Sequence, residues 1–60
     1  MKYISVDDET WYQLADEFNT IPYEILKALQ FKTMDGGRAH DEESIRLRAV
    51  EMGGVVCEED

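Results

Sequence analysis

Sixty residues allow one domain with a thin core, because a chain this short hides only roughly 60% of the surface that it exposes when unfolded. Fourteen Asp and Glu against six Lys and Arg leave a net charge of -8, a surface that repels nucleic-acid phosphate and anionic lipid, so direct binding to either is not expected. The lone cysteine, Cys57, excludes an internal disulfide, and with a single histidine, His40, no Cys/His metal set can form.

In chain order, "KYISV" (Lys2 to Val6) alternates and is rich in strand formers, which predicts a short strand. Asp7 or Asp8 is placed to cap a helix, with Glu9 in its first turn, where a negative charge suits the helix dipole. Trp11, Leu14, Ala15 and Phe18 follow the i, i+3, i+4, i+7 rule, while Glu9, Gln13, Asp16 and Glu17 fall on the opposite face. Asn19 and Thr20 break the pattern. Thr20 is the expected cap of a second helix, with Pro22 in its first turn. Ile25, Leu26 and Leu29 supply its apolar stripe, with Ala28 beside it and Tyr23 at its edge, and it should end near Gln30 or Phe31.

"FKTMDGGRAH" reads as a loop, with a turn at Asp35-Gly36-Gly37 and a short extended piece at Phe31 to Met34. "DEESIRLRAVEMGG" is readable two ways. As a helix it has an Asp41 cap, Glu42 and Glu43 in the first turn and a Gly53-Gly54 stop; as a strand it alternates Ile45, Leu47 and Ala49 against Arg46 and Arg48. The end signals favour the helix. Val55 to Cys57 then form a closing strand able to pair with Tyr3 to Val6, and residues 57–60 carry an acidic, solvated tail. The expected architecture is a single α+β domain over residues 1–60, with a short N-terminal strand, two to three helices and a short C-terminal strand.

Chemistry is sparse. Acid–base catalysis needs two carboxyl groups whose environments separate their pKa values, usually in a cleft. Here the acids lie on exposed faces or in runs. A Cys57–His40 dyad has less in its favour than Cys57 as a small core residue. "DGG" lacks the lysine and helix of a phosphate loop, and neither Asp7-Asp8-Glu9 nor Asp41-Glu42-Glu43 has the ligand spacing of a calcium loop. No enzyme activity, metal or cofactor is expected. "MKYISVDDE" shows neither signal peptide nor membrane span, and the absence of disulfides points to a reducing cytoplasm. Tyr12, at the edge of the first helix, and Tyr23 are candidate aromatic anchors.

Two stretches resemble known families. "LADEFNTIPYEILKAL" resembles a helix-turn-helix unit: Leu14, Ala15, Phe18 and Ile25 match its apolar spacing, and Asn19 stands where glycine is usual. Its second helix, "PYEILKAL", offers one Glu and one Lys, too little for phosphate contacts, so the resemblance implies a protein-contacting adaptor rather than a DNA reader. "YISVDDETWYQLADEF" with "EILKAL" resembles a LysM module through Tyr3, Val6, Thr10, Trp11, Leu14, Ala15 and Phe18. That family is a strand, two helices and a strand, and it binds glycans. Here the glycine before its Asp-Thr pair is absent and Gln30 replaces its asparagine, both in the sugar-binding region.

The carboxylates invite a third comparison. Glu9 to Asp16 spans ~10 Å of helix, while duplex DNA carries a charge every ~1.7 Å of axis. One helix face alone falls short of that density. Asp7, Asp8, Glu9, Asp16, Glu17 and Glu24, extended by Asp41, Glu42 and Glu43 and anchored by Tyr12, would make a larger acidic surface. In size, acidity and lack of catalytic equipment the chain resembles the small inhibitors carried by phages and mobile elements, among them DNA-mimic anti-restriction and anti-CRISPR proteins. The resemblance is one of character and implies a basic nucleic-acid-binding protein or complex as partner.

Overall fold

The computed structural model describes residues 1–32 and 39–59, and for residues 39–41 the backbone alone. The elements run β1 (Lys2–Ser5), α1 (Asp8–Glu17), α2 (Pro22–Leu29), α3 (Ala39–Glu51) and β2 (Val55–Glu58). The expected α+β class is found. The segment readable as helix or strand is a helix: Ile45 and Ala49, one turn apart, are fully buried, while Leu47 is thrown out to 61% exposure. A strand would have put all three on one face.

β1 and β2 pair antiparallel, with Tyr3 opposite Cys57, Ile4 opposite Val56 and Ser5 opposite Val55. The strand expected from Lys2 to Val6 stops at Ser5, because Asp7 already caps α1: its carboxylate accepts the Thr10 N–H at 2.8 Å. The acidic end of the chain is only partly a tail. Glu58 belongs to β2 opposite Lys2, and the Glu59 N–H donates to Met1 O at 2.7 Å. Cys57 shares the side of Tyr3 rather than that of buried Ile4 and is half-buried, so it is not the core residue anticipated.

Each helix stops by the same device. Beyond α1, Asn19 has φ +54 and the Thr20 N–H reaches Ala15 O; beyond α2, Phe31 has φ +59 and the Lys32 N–H reaches Lys27 O; beyond α3, Gly53 has φ +101 and the Gly54 N–H reaches Ala49 O. These are Schellman caps, whose left-handed residue is easiest for Gly, tolerable for Asn and strained for Phe. Phe31 is held there by its surroundings: the Arg46 guanidinium lies 4.5 Å and the Lys2 ammonium 4.9 Å from its ring centre.

Thr20 does not cap α2. The cap is Ile21, in extended geometry (φ -98, ψ 154) and without a side-chain bond. Pro22 dictates this, since the residue before a proline is driven out of helical geometry, so helix cannot begin at Ile21. Asp41 likewise lies inside α3, which starts a turn's fraction earlier at Ala39, a strong helix former. The expected loop therefore ends before Ala39; the Asp35-Gly36-Gly37 turn and most of the extended piece to Met34 lie outside the described residues.

The core is Ile4 from β1, Leu14 and Ala15 from α1, Ile25, Ala28 and Leu29 from α2, and Ile45 and Ala49 from α3, with Val6, Trp11, Phe18 and Met52 packed around it. Leu26, expected in the α2 stripe, stands at the margin with 37% exposure; Ala28 takes the central position. Among the described residues, no helix is long and apolar enough to cross a membrane.

Candidate functional site

The site begins with the wheel of α1. Burying Leu14 and Ala15, with Trp11 and Phe18 alongside, turns Glu9, Gln13 and Asp16 to water; all three are exposed, as is Asp8 at the start of the helix. Tyr12 flanks that face at 58% exposure. Its ring stacks on Trp11, with centroids 5.4 Å apart and planes 29° from parallel. The Trp11 indole N–H donates to Pro22 O at 2.8 Å, which ties the Tyr12 flank to the start of α2, where Ile21 and Tyr23 are also exposed. The Lys27 ammonium sits 4.9 Å from the centre of the Tyr23 ring.

Ten residues were proposed for an acidic docking surface, and the fold gathers only part of them. Asp8, Glu9, Tyr12 and Asp16 share the outside of α1, and no described residue forms an ion pair or hydrogen bond with the carboxylates of Asp8, Glu9 or Asp16. Asp7 is adjacent, but its carboxylate is committed to the cap. Bonds from the Thr10 hydroxyl, then from the Thr10 backbone N–H, hold its pKa below the ordinary aspartate value.

Glu17 is neutralised: the Arg48 guanidinium lies 3.0 Å away and also reaches Glu51 at 3.4 Å. Glu24 on α2 is half-buried and engaged by a neighbour. Glu42 pairs with Arg46 at 3.7 Å. Arg48 joins α3 to the last turn of α1, and Glu42 and Glu43 stand roughly 7–9 Å from it along α3, on a separate helix from the α1 face. Glu43 is exposed there; the Asp41 side chain is outside the description. The acidic surface is therefore the α1 face and its Tyr12 flank, not one sheet of charge from Asp7 to Glu43.

Sequence reasoning missed the roles of the arginines. Arg46 donates through Nε to Ala28 O at 2.8 Å, satisfying a carbonyl at the end of α2 while its guanidinium lies over Phe31. Such tertiary bonds leave no periodic trace; the only available signal was the i, i+4 pair Glu42–Arg46. Two depressions were also missed. A cleft of about 390 Å³ lies where the β1–α1 turn (Ser5, Val6, Asp7, Thr10) meets Met52, Gly53 and Gly54. A groove of about 190 Å³ runs along β1 beneath Trp11, Leu26, Leu29 and Gln30. Among the described residues no three His, Cys, Asp or Glu converge as a metal-binding group. No family model, no curated protein and no solved structure matches this chain.

Proposed function

We propose that this chain is a non-enzymatic binding protein whose α1 face enters a basic site that another protein uses for nucleic-acid phosphates. The supporting observation is the pairing pattern: Arg46 and Arg48 are spent on Glu42, Glu17 and Glu51, while Asp8, Glu9 and Asp16 stand exposed and unpaired by any described residue. Asp16 in particular lies in the last turn of α1, which contains no basic residue, and a negative charge there opposes the helix dipole. A carboxylate kept against its local cost is better explained by a partner than by the fold. Lys and Arg side chains arranged for phosphates would attract this face and lose that attraction as salt rises. Effector complexes of bacterial defence, CRISPR complexes among them, are the class that the size and acidity of the chain suggest.

The test is affinity capture from bacterial lysate at low and high salt, with duplex DNA as competitor. Proteins released by DNA and by salt, and not captured by the Asp8→Lys, Glu9→Lys, Asp16→Lys triple variant, support the proposal. Equal capture by that variant, with its helical spectrum intact, removes it. A protein adaptor of helix-turn-helix shape is the second reading. The left-handed Asn19 between α1 and α2 favours it, and it requires capture that DNA does not reverse.

A further inference from the structure

β1 has two edges, and β2 occupies one of them. In an antiparallel ladder, pairs that exchange both backbone bonds alternate with pairs whose N–H and C=O groups point away from each other. The Met1 amino group donates to Glu59 O and the Glu59 N–H donates to Met1 O, so these two residues form an exchanging pair. Along the same register the next exchanging pairs are Tyr3 with Cys57 and Ser5 with Val55. The N–H and C=O of Ile4 and the N–H of Val6 therefore face the opposite edge. No described residue gives or takes a hydrogen bond with the backbone of either.

That edge is not open water. It forms one side of the 190 Å³ groove, from Tyr3 to Val6, facing Trp11, Leu26, Leu29 and Gln30. Ile4 is only 5% exposed overall, and among the described residues its outward backbone groups have no protein partner. Folded proteins seldom leave such groups unpaired, because each carries an unrecovered desolvation cost.

We propose that this edge is completed by an extended, cationic peptide segment of another protein, which adds to β1 as a third strand. Strand addition supplies the backbone bonds that no described residue makes, and alternate side chains of the incoming segment rest against Trp11 and Leu26. The four residues from Tyr3 to Val6 match a segment of about four residues at roughly 3.3 Å each. Charge decides the kind of segment. Asp8 stands beyond one end of β1 and the Glu59 carboxylate, which accepts the Tyr3 hydroxyl at 3.3 Å, stands at the other, while the nearby cations Lys2 and Arg46 are engaged by the Phe31 ring. Lysines or arginines flanking a short β-branched core fit that arrangement. The contact uses backbone groups of β1 and draws on Asp8 alone among the α1 carboxylates, so it does not require Glu9 or Asp16.

The experiment titrates the synthetic peptide acetyl-Lys-Val-Lys-Val-Thr-Lys-amide into the isotope-labelled full chain and follows amide exchange by NMR. The expected result is saturable binding with the Ile4 and Val6 amides slowed at least about tenfold, while a twin peptide N-methylated on alternate residues binds roughly tenfold more weakly or not at all. Leu26→Asp, at the half-open groove wall, should weaken the unmodified peptide, and Asp16→Asn should leave the Ile4 protection in place. Failure to bind, equal binding of the methylated twin, or shifts confined to Asp8, Glu9 and Asp16 with Ile4 exchange unchanged would overturn the proposal. Protection of Ile4 that grows with protein concentration in the absence of peptide would overturn it too, assigning the edge to a second copy of the chain.

Discussion

Replacing Asp16 by lysine should make the protein more stable and a poorer binder. Asp16 stands one residue from the end of α1, with its side chain in water and no described partner, so the substitution breaks no contact. Removing a negative charge from the last turn is worth about 0.3–1 kcal/mol, and placing a positive one there contributes a similar amount. Lysine is also the better helix former by a few tenths of a kcal/mol. Allowing for exposure, the sum is about 1 kcal/mol. A 60-residue domain has only about 3–9 kcal/mol in total, at 0.05–0.15 per residue. With a denaturant slope of about 1 kcal/mol per molar for so small a chain, the urea midpoint should rise by about 1 M. Far-UV circular dichroism in low-salt buffer reads it, and most of the gain should vanish in high salt. A midpoint that falls, or a gain indifferent to salt, would show that Asp16 serves the fold and remove the reason for assigning it to a partner.

Arg46→Ala should lose about 2–3 kcal/mol, from its charged bond to Ala28 O and its contact with the Phe31 ring, and Arg46→Lys should recover little because it lacks the Nε donor; urea titration followed by the single tryptophan, Trp11, measures both. Gly54→Ala places a Cβ 2.7 Å from Ala49 O and 3.0 Å from the side chains of Ile4 and Val6, so it should destabilise by about 1–3 kcal/mol in the same titration. Asp7, whose folded pKa lies below its unfolded value, contributes stability above the unfolded pKa that is lost as pH falls through the folded one. Asp7→Asn should flatten that acid limb in a series of urea midpoints across the acid range, leaving the neutral midpoint less affected than Asp7→Ala does.

Elements whose cause is local were legible in the sequence. The α1 face followed from the spacing of Trp11, Leu14, Ala15 and Phe18, and the cap was narrowed to Asp7 or Asp8, of which the bond to Thr10 selects Asp7, because both features depend on residues within two turns. The start of α2 was misplaced by weighing the capping preference of Thr20 above the steric demand of Pro22 on Ile21. In α3 the run Ile45, Leu47, Ala49 satisfies period two as well as it satisfies burial of Ile45 and Ala49 alone; contact with α2 decides, and contact is not written in the run. The acidic surface was overdrawn for a related reason. Glu17 and Arg48 are far apart in the chain, so their cancellation appears only once α1 and α3 lie side by side.

The pairing of β1 with β2 has a bearing on how the protein is made. Of the described elements, β1 leaves the ribosome first and β2 last, and Ile4 can dock only against helices that follow it. Closing so wide a loop is entropically slow and comes late. A nascent chain stalled just after Glu51 would thus display its leading strand undocked, a ready hold for a chaperone or a protease until Val55 and Val56 arrive.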